Sequence, residues 1–504
     1  MKAILFGFIL VFALPLSANT VKVLQPTSSQ TEIIQNGIVR VTVSSVRTDA
    51  LQPWVRRPTD AYTVTGLYLG HGLILVQADD IRNAALIEVS RANSYDRGRA
   101  RFVLIDMEIN LAILKIEDSD FLGDLKPLPI GQDPVQGDEI NAVKPDSLFR
   151  IYNESVTVIE YTISSDYGFT KLPVFIFSGR ESYQNGDILL KQGRLTGLVA
   201  YQRQQGKTVA IPISRISAFR DRALKSIQSN QTYTGFVVQG IELEELVDPQ
   251  LRKYLGVDGL DKNHGALVGS VLPGTPSARI LKAGDVLLRL DGQDIDKKGL
   301  YKDPLLGLQR AELLLTRDLN GRYRNAGETI SAVVLRDRKQ IDFELNLIDY
   351  QGTAERIPWL QPEKEPPYLV ESGLVFLELT VPYLQSRFGK DWRHKAIELA
   401  YIYDTKKNFG IDDDRDKIII LSEVLPDPVN VGYQNLGALV LESVNGQKVK
   451  SLQDLIKKVT ALRNQPSGFV EMSFTDGTKV FLDVLARAEN ERIRQTYHLP
   501  VLSR

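Results

Sequence analysis

Between residues 35 and 215 the chain is cut into short β-prone runs, and this pattern constrains the fold most. The runs include GIVRVTVSSV, YTVTGLYLG, GLILVQ, ALIEVS, LAILKIE, SVTVIEYTIS, LPVFIFSG and TVAIPI. Each is rich in Val, Ile, Leu, Thr and Tyr, and Gly, Asp, Asn or Pro separates it from the next. Such spacing predicts an all-β barrel or sandwich. ISRISAFRDRALKSI follows, with Ile216, Phe219, Leu224 and Ile227 near helical spacing, and predicts a helix that closes this part.

Length and composition narrow the classes. The 504 residues suggest two to four domains. Lys plus Arg is 61 against 62 for Asp plus Glu, so no basic field draws in nucleic acid. With no cysteine, disulfides, thiolate metal sites and a cysteine nucleophile are excluded. MKAILFGFILVFALPLSANT has one early cation, Lys2, a short apolar run and the small residues Ser17 and Ala18. It reads as a signal peptide over residues 1–19 and predicts a periplasmic or secreted protein with no membrane span after cleavage. An uncleaved anchor is the alternative; the run is shorter than the ~20 apolar residues a spanning helix needs.

Two later segments repeat each other. VGSVLPGTPSARILKAGDVLLRLDGQDI (268–295) and LSEVLPDPVNVGYQNLGALVLESVNGQKV (421–449) share Val-Leu-Pro and a strand–turn–strand signal at Asp291-Gly292 and Asn445-Gly446. Each is followed by a plausible helix and then two strands. Two copies indicate a duplicated small domain, not a solenoid. Between them IPWLQPEKEPPYLVESG, with Pro358, Pro362, Pro366 and Pro367, reads as an extended linker.

The repeated segments resemble PDZ domains, and the whole chain resembles the HtrA/Deg family. The resemblance rests on ARILKAGDVLL in the first repeat, FLELTVPYLQSRFGKDW and VNVGYQNL around the second, and the barrel framework. It covers about residues 35–490. It implies a mainly β chain: a trypsin-like double β-barrel followed by two α+β PDZ domains. The expected parts are a trypsin-like domain at 31–228, a first PDZ domain at 233–348, a Pro-rich linker at 349–370, a second PDZ domain at 371–490 and a tail at 491–504.

The family is one of serine endopeptidases, and here the chemistry departs. GLILVQADDI (72–81) resembles the stretch ending in the catalytic histidine, with Asp79 in its place. INLAILKIED (109–118) resembles the stretch carrying the acid, with Asn110 in its place. SYQNGDILLKQGRLTGLV (182–199) resembles the nucleophile loop; Gly186, Gly193 and Gly197 fall on family glycines and Gln184 falls on the serine. A serine nucleophile needs a base near neutral pH. Of the four histidines, His71, His264, His394 and His498, only His71 lies in the β domain, eight residues before Asp79. Ser182 is an alternative nucleophile only with a two-residue slip; Lys191 would be its nearby lysine. Asp79, Asp80 and Asp187 form a possible acidic cluster, read as a solvated turn, and DDDRD (412–416) reads as an exposed loop. No catalytic residues, metal or cofactor are expected.

The resemblance also implies peptide binding. A PDZ domain adds a peptide as a strand to a sheet edge and holds its carboxylate on loop amides. TGFVVQGIEL (234–243) places Gly235, Phe236, Val237 and Val238 on that loop, with Val237 where the family has glycine. The expectation is a pseudoprotease that binds unfolded proteins or peptide C-termini as a chaperone, adaptor or scaffold, self-associating as trimers or larger assemblies. The alternatives are an active serine-type endopeptidase and a structural protein with closed PDZ grooves.

Overall fold

The structure is a computed structural model and describes residues 28–46, 48–57, 60–92, 96–146, 148–164, 170–180, 182–202, 206–238, 240–257, 259–272, 275, 277–349, 355–358, 366–406, 414–485 and 487–504. The expected signal peptide lies outside these residues, as do Pro273, Pro362 and part of the 412–416 run.

After helix α1 (Ser28–Gly37), six strands follow: β1 (Ile38–Ser45), β2 (Asp60–Gly70), β3 (Leu73–Val76), β4 (Ala84–Ser90), β5 (Arg97–Asp106) and β6 (Leu111–Ile116). They close into a barrel in the order β1-β2-β3-β6-β5-β4. The next six are β7 (Glu139–Pro145), β8 (Ile151–Ser164), β9 (Leu172–Ser178), β10 (Ile188–Lys191), β11 (Arg194–Gln202) and β12 (Lys207–Pro212). They close as β10-β11-β12-β9-β8-β7, the same connectivity read from the other end. Closure leaves neither sheet an open edge. β1 alternates between the barrel interior and its rim, with Val39, Val41 and Val43 fully buried. The Gln192-Gly193 turn joins β10 to β11 with φ of 53° and 75°, a left-handed pair that suits this dipeptide in a two-residue hairpin.

Helix α2 (Ile213–Ser229) closes the double barrel, as its apolar spacing predicts. The buried face is Ile213, Ile216, Phe219 and Ala223; Ile227 is exposed, because the last turn runs out past the barrels before the left-handed Asn230 ends the helix.

Next come β13 (Ile241–Glu244), β14 (Ala266–Val271), β15 (Val286–Leu290), β16 (Gln293–Asp294), β17 (Leu300–Asp303), β18 (Gly307–Arg310), β19 (Thr329–Arg336) and β20 (Lys339–Asn346). The last unit holds β21 (Tyr368–Glu371), β22 (Leu374–Glu378), β23 (Ile419–Val424), β24 (Leu439–Val444), β25 (Gln447–Lys448), β26 (Phe469–Phe474) and β27 (Lys479–Asp483). The sheets run β13-β14-β15-β19-β20 and β21-β22-β23-β24-β26-β27.

The two sheets repeat each other bond for bond. Leu272 N donates to Gly240 O at 2.8 Å, and Leu425 N to Gly373 O at 2.7 Å. Asp291 N donates to Ser331 O, and Asn445 N to Glu471 O, both at 2.8 Å. The turns Asp291-Gly292 and Asn445-Gly446 share left-handed φ values. β13 therefore corresponds to β22, β14 to β23, and so on.

Two expectations about these units change. The helix expected after each repeat is present in the second, at Leu452–Arg463, but in the first it is replaced by the β17–β18 hairpin and one turn at Leu313–Thr316. The buried Asp303 carboxylate accepts from the amides of Leu305 and Leu306 and fixes a turn where a helix would have run. The boundaries at 370/371 and 490/491 both fall inside the last unit. β21 begins at Tyr368, and residues 502–504 pair with it: Val370 N donates to Leu502 O at 2.7 Å and Arg504 N to Tyr368 O at 2.9 Å. In the DDDRD run, Asp414 pairs with Lys448 and Lys450 at 2.9 and 2.6 Å.

The units are tied together by side chains. In the segment between β1 and β2, Trp54 stacks on Tyr368 at 5.2 Å and Gln52 Nε2 donates to Glu423 Oε1 at 2.6 Å, joining the first barrel to the last unit. Arg222 of α2 lies 4.1 Å over the Phe236 ring and donates to Arg324 O at 2.8 Å, joining the barrels to the β13–β20 unit.

Candidate functional site

The site expected from the three replaced positions is assembled between the barrels. Ala78–Asp80 follow β3, and Met107–Asn110 form the turn from β5 to β6. Asn110 is left-handed with φ of 54°, a conformation asparagine tolerates better than most residues. From there its Oδ1 accepts the Asp79 amide at 2.9 Å, and its Nδ2 donates to Gln77 Oε1 at 3.3 Å. Gln77 is buried, and its Nε2 crosses to the second barrel to donate to Val199 O at 2.6 Å. Val199 O also accepts the Gly186 amide at 2.9 Å, and Val199 N donates to Asp187 O at 2.8 Å. Positions 79, 110 and the 184–187 turn are thus linked through Gln77 and Val199.

The 184–187 turn holds itself. Gln184 N donates to Asp187 Oδ2 at 2.8 Å, and Asp187 N to Gln184 O at 3.1 Å. Gly186 has φ of 83°, and a β-carbon there would lie 3.0 Å from Thr65 O of β2, so the turn fits against the first barrel only as glycine. The Gln184 side chain is exposed.

The groups whose pKa is shifted here are carboxylates. Burial, with the Asp79 charge beside it, pushes the Asp80 carboxyl up to about 7. Burial pushes Asp187 up to about 6 against the pull of the Gln184 amide. Asp79 pairs with Arg82 at 3.5 Å. A carboxyl near 7 can exchange protons at neutral pH, but the one hydroxyl that reaches Asp80, Tyr62 Oη, donates to its backbone carbonyl at 2.5 Å, and among the described residues no hydroxyl or amine side chain hydrogen-bonds its carboxyl group. Ser182 is exposed. Its carbonyl accepts from Lys144 Nζ at 2.8 Å, and among the described residues no side chain hydrogen-bonds its hydroxyl. Lys191 is turned away, paired with Asp138. His71 sits exposed in the β2–β3 turn, and His264 is bound to Leu288 O at 2.7 Å in the β13–β20 unit. His394 and His498 are exposed in the last unit. Among the described residues no group of three or more His, Cys, Asp or Glu could hold a metal ion.

Sequence reasoning missed the residues that hold the Asn110 turn from behind. Asp106 is buried at the end of β5, and its carboxylate accepts from Tyr233 Oη at 2.7 Å and from Glu108 N at 3.0 Å. Burial raises its pKa, and the Tyr233 hydroxyl and the backbone amides oppose that rise. The buried Arg215 of α2 donates to Ile109 O at 2.8 Å. The turn is therefore gripped by the closing helix and by the segment leading to the next unit. Tyr233 and Asp106 are 127 residues apart, so no local pattern pairs them.

The expected carboxylate loop takes a different form. Phe236, Val237 and Val238 are buried, and Val238 N donates to Ile348 O at 3.0 Å. Val237 bridges Asp349, Phe236 meets Tyr323 edge-on at 5.4 Å, and Gly235 O accepts from Arg222 at 3.4 Å. None of the non-glycine residues here has positive φ. The segment is a covered strand, because residues 348–349 return alongside it.

Fold and geometry together define a trypsin-like double barrel joined to a PDZ unit. The PDZ domain family matches residues 357–502. Across most of the chain it is similar to protease Do-like 4, mitochondrial, of Arabidopsis thaliana, 24% identical and covering 86% of this chain and 78% of that one. It is also similar to protease Do-like 2, chloroplastic, of the same plant, 24% identical and covering 83% and 67%. Among solved structures it matches the HtrA-type protease AlgW with tripeptide, 19% identical with a TM-score of 0.47, covering 65% of this chain and 98% of that one. The relatives and the PDZ match support an HtrA/Deg-type chain with a trypsin-like domain and a PDZ domain.

Proposed function

We propose that this is a non-catalytic HtrA/Deg-type protein that binds unfolded polypeptide as a chaperone, adaptor or scaffold. The observation that carries the reading is the chain Asp79–Asn110–Gln77–Val199 between the barrels. Asp79 sits where a proton relay would need a histidine base, and the amide Asn110 where it would need a carboxylate. An amide neither accepts a proton at neutral pH nor stabilises an imidazolium as a carboxylate does. Gln184 supplies no nucleophile, and the serine beside the turn, Ser182, lacks the hydrogen-bonded base that activates one. The reading includes export to the periplasm or beyond, from the N-terminal apolar run, and self-association into trimers or larger assemblies.

A second reading, an active endopeptidase, is favoured by the names of the similar plant proteins, which are proteases. The two separate on incubation with unfolded casein. The first predicts that casein stays intact while its aggregation is suppressed. Cleavage that survives Gln184→Ala and is lost on Ser182→Ala would establish the second.

A further inference from the structure

The duplication within the chain supplies an internal control for its second copy. Asp291 N reaches Ser331 O as Asn445 N reaches Glu471 O, so β19 corresponds to β26 and β20 to β27, with Ser331 at the position of Glu471. Ser331 stands opposite Glu344, and Glu471 opposite Phe481; two residues earlier, Thr329 stands opposite Asn346, and Phe469 opposite Asp483. Thr329 is therefore equivalent to Phe469, and Glu344 to Phe481. The first sheet is polar and exposed at both positions, so the fold itself asks for no aromatic ring there.

In the last unit these positions form an apolar patch. β26 and β27 alternate, with Val470, Met472, Val480 and Leu482 inside and Phe469 and Phe481 outside. The alternation runs on through the buried Val484 to Leu485. Phe469 is 63% exposed, Phe481 49% and Leu485 64%. Together they open on the order of 400 Å² of apolar surface, at about 150–250 Å² for a whole aromatic side chain. Single exposed apolar residues need no explanation, but a patch of this size on one rigid sheet does.

The patch is a face, and the strand edge beside it is closed. Val484 N donates to Gly468 O at 3.1 Å and Phe474 N to Thr478 O at 2.9 Å, which turns the backbone groups of Phe481 and Asp483 away from β26. There Tyr433 Oη accepts the Phe481 amide at 3.2 Å, and Arg463 donates to Asp483 O. The outer face stays open, and its charges match their own image. Lys479 and Asp483 flank Phe481 two residues to either side, all three exposed. A two-fold axis lying across the strands at Phe481 sets that ring on its counterpart in a second copy. It also brings Lys479 of each copy to Asp483 of the other. Lys479 is held in place beside Glu471 at 2.6 Å. The first sheet carries Asp342, Glu344 and Asn346 at these positions, and there Glu344 would meet Glu344 and be repelled.

We infer that the outer face of β26–β27 is a two-fold contact between copies of this chain. The occupant is a second copy because the face is complementary to itself in charge, as a two-fold interface must be. Two such faces bury roughly 800 Å² of apolar surface, and with the flanking charged side chains they clear the ~1,000 Å² that a specific interface needs. The inference rests on the self-association reading above and deepens it by naming a surface and a symmetry.

The test is sedimentation velocity of the full chain over a concentration series. The Phe469→Thr/Phe481→Glu double variant carries the residues that the first sheet holds at these positions; its thermal transition checks the fold. Its assembly mass is expected to be half that of the wild type. Lys479→Asp and Asp483→Lys should each weaken the association about tenfold, the order expected when two opposite-charge pairs become like-charge pairs. A mixture of these two variants should restore it, because every pair across the axis is then of opposite sign. An unchanged mass in the double variant would overturn the surface and leave self-association standing; if that variant also failed to keep casein from aggregating, the face would belong to unfolded clients instead. Charge variants that keep the wild-type association, or a mixture that restores nothing, would overturn the two-fold register. A wild type that stays monomeric at every concentration would overturn the self-association reading itself.

Discussion

Replacing Tyr233 with phenylalanine should loosen the candidate site from a distance. The hydroxyl donates to the buried Asp106 carboxylate at 2.7 Å, behind the turn that carries Asn110. A hydrogen bond to a charged group is worth roughly 1.5–3 kcal/mol, and the backbone amides still reach Asp106, so the loss should be about 2 kcal/mol at neutral pH. For a unit the size of the double barrel, that lowers the melting temperature by about 4–8 °C. The sign of the pH dependence follows from Asp106. Its folded-state pKa is raised by burial, and the Tyr233 hydroxyl pulls it down. Removing the hydroxyl raises it further, so the folded variant takes up a proton more readily. The deficit should therefore be full at pH 7.5 and shrink as the pH falls toward 5. Differential scanning calorimetry at several pH values reads this directly. Hydrogen exchange at residues 107–110 should quicken in parallel. An unchanged melting temperature, or a deficit identical at pH 7.5 and 5, would refute the clamp.

Other outcomes follow from the same contacts. Gln77→Ala removes the amide joining Asn110 to Val199 and should cost about 1–3 kcal/mol, read by urea unfolding. Asp80 and Asp187, pushed up to about 7 and 6, are penalised in the fold when ionised. Stability should rise as pH falls from 8 to 5, and Asp80→Asn with Asp187→Asn should flatten that rise in calorimetry. Trp54→Ala deletes a half-buried ring on Tyr368 and should cost about 2 kcal/mol, half of what a fully buried aromatic loses, with faster proteolysis between residues 349 and 367.

The barrels were legible in the sequence because each strand carries its own β-branched run and its own turn residues. The match of 79 with 110 was legible for the same reason: both sit at strand ends whose register is fixed locally. That Ile348 and Asp349, over 100 residues further on, lie alongside Phe236–Val238 was not legible, because no local pattern pairs them. β21 was hidden because Tyr368–Glu371 follows prolines that read as linker, and only pairing with β22 shows it as a strand. The helix of the first repeat failed because the buried Asp303 imposes a turn, a tertiary preference that local propensity does not carry. Gln77, Arg215 and the Tyr233–Asp106 pair were invisible because each acts through a contact distant in sequence.

The central claim is that the cleft between the barrels holds no activated serine. Treatment of the full chain with a fluorophosphonate probe, followed by mass-spectrometric mapping, tests it most directly, since the probe labels a serine only when a neighbouring base activates it. The account predicts no labelled serine at neutral pH under conditions that label trypsin completely. Stoichiometric labelling at Ser182, or at any other serine of the double barrel, would contradict it.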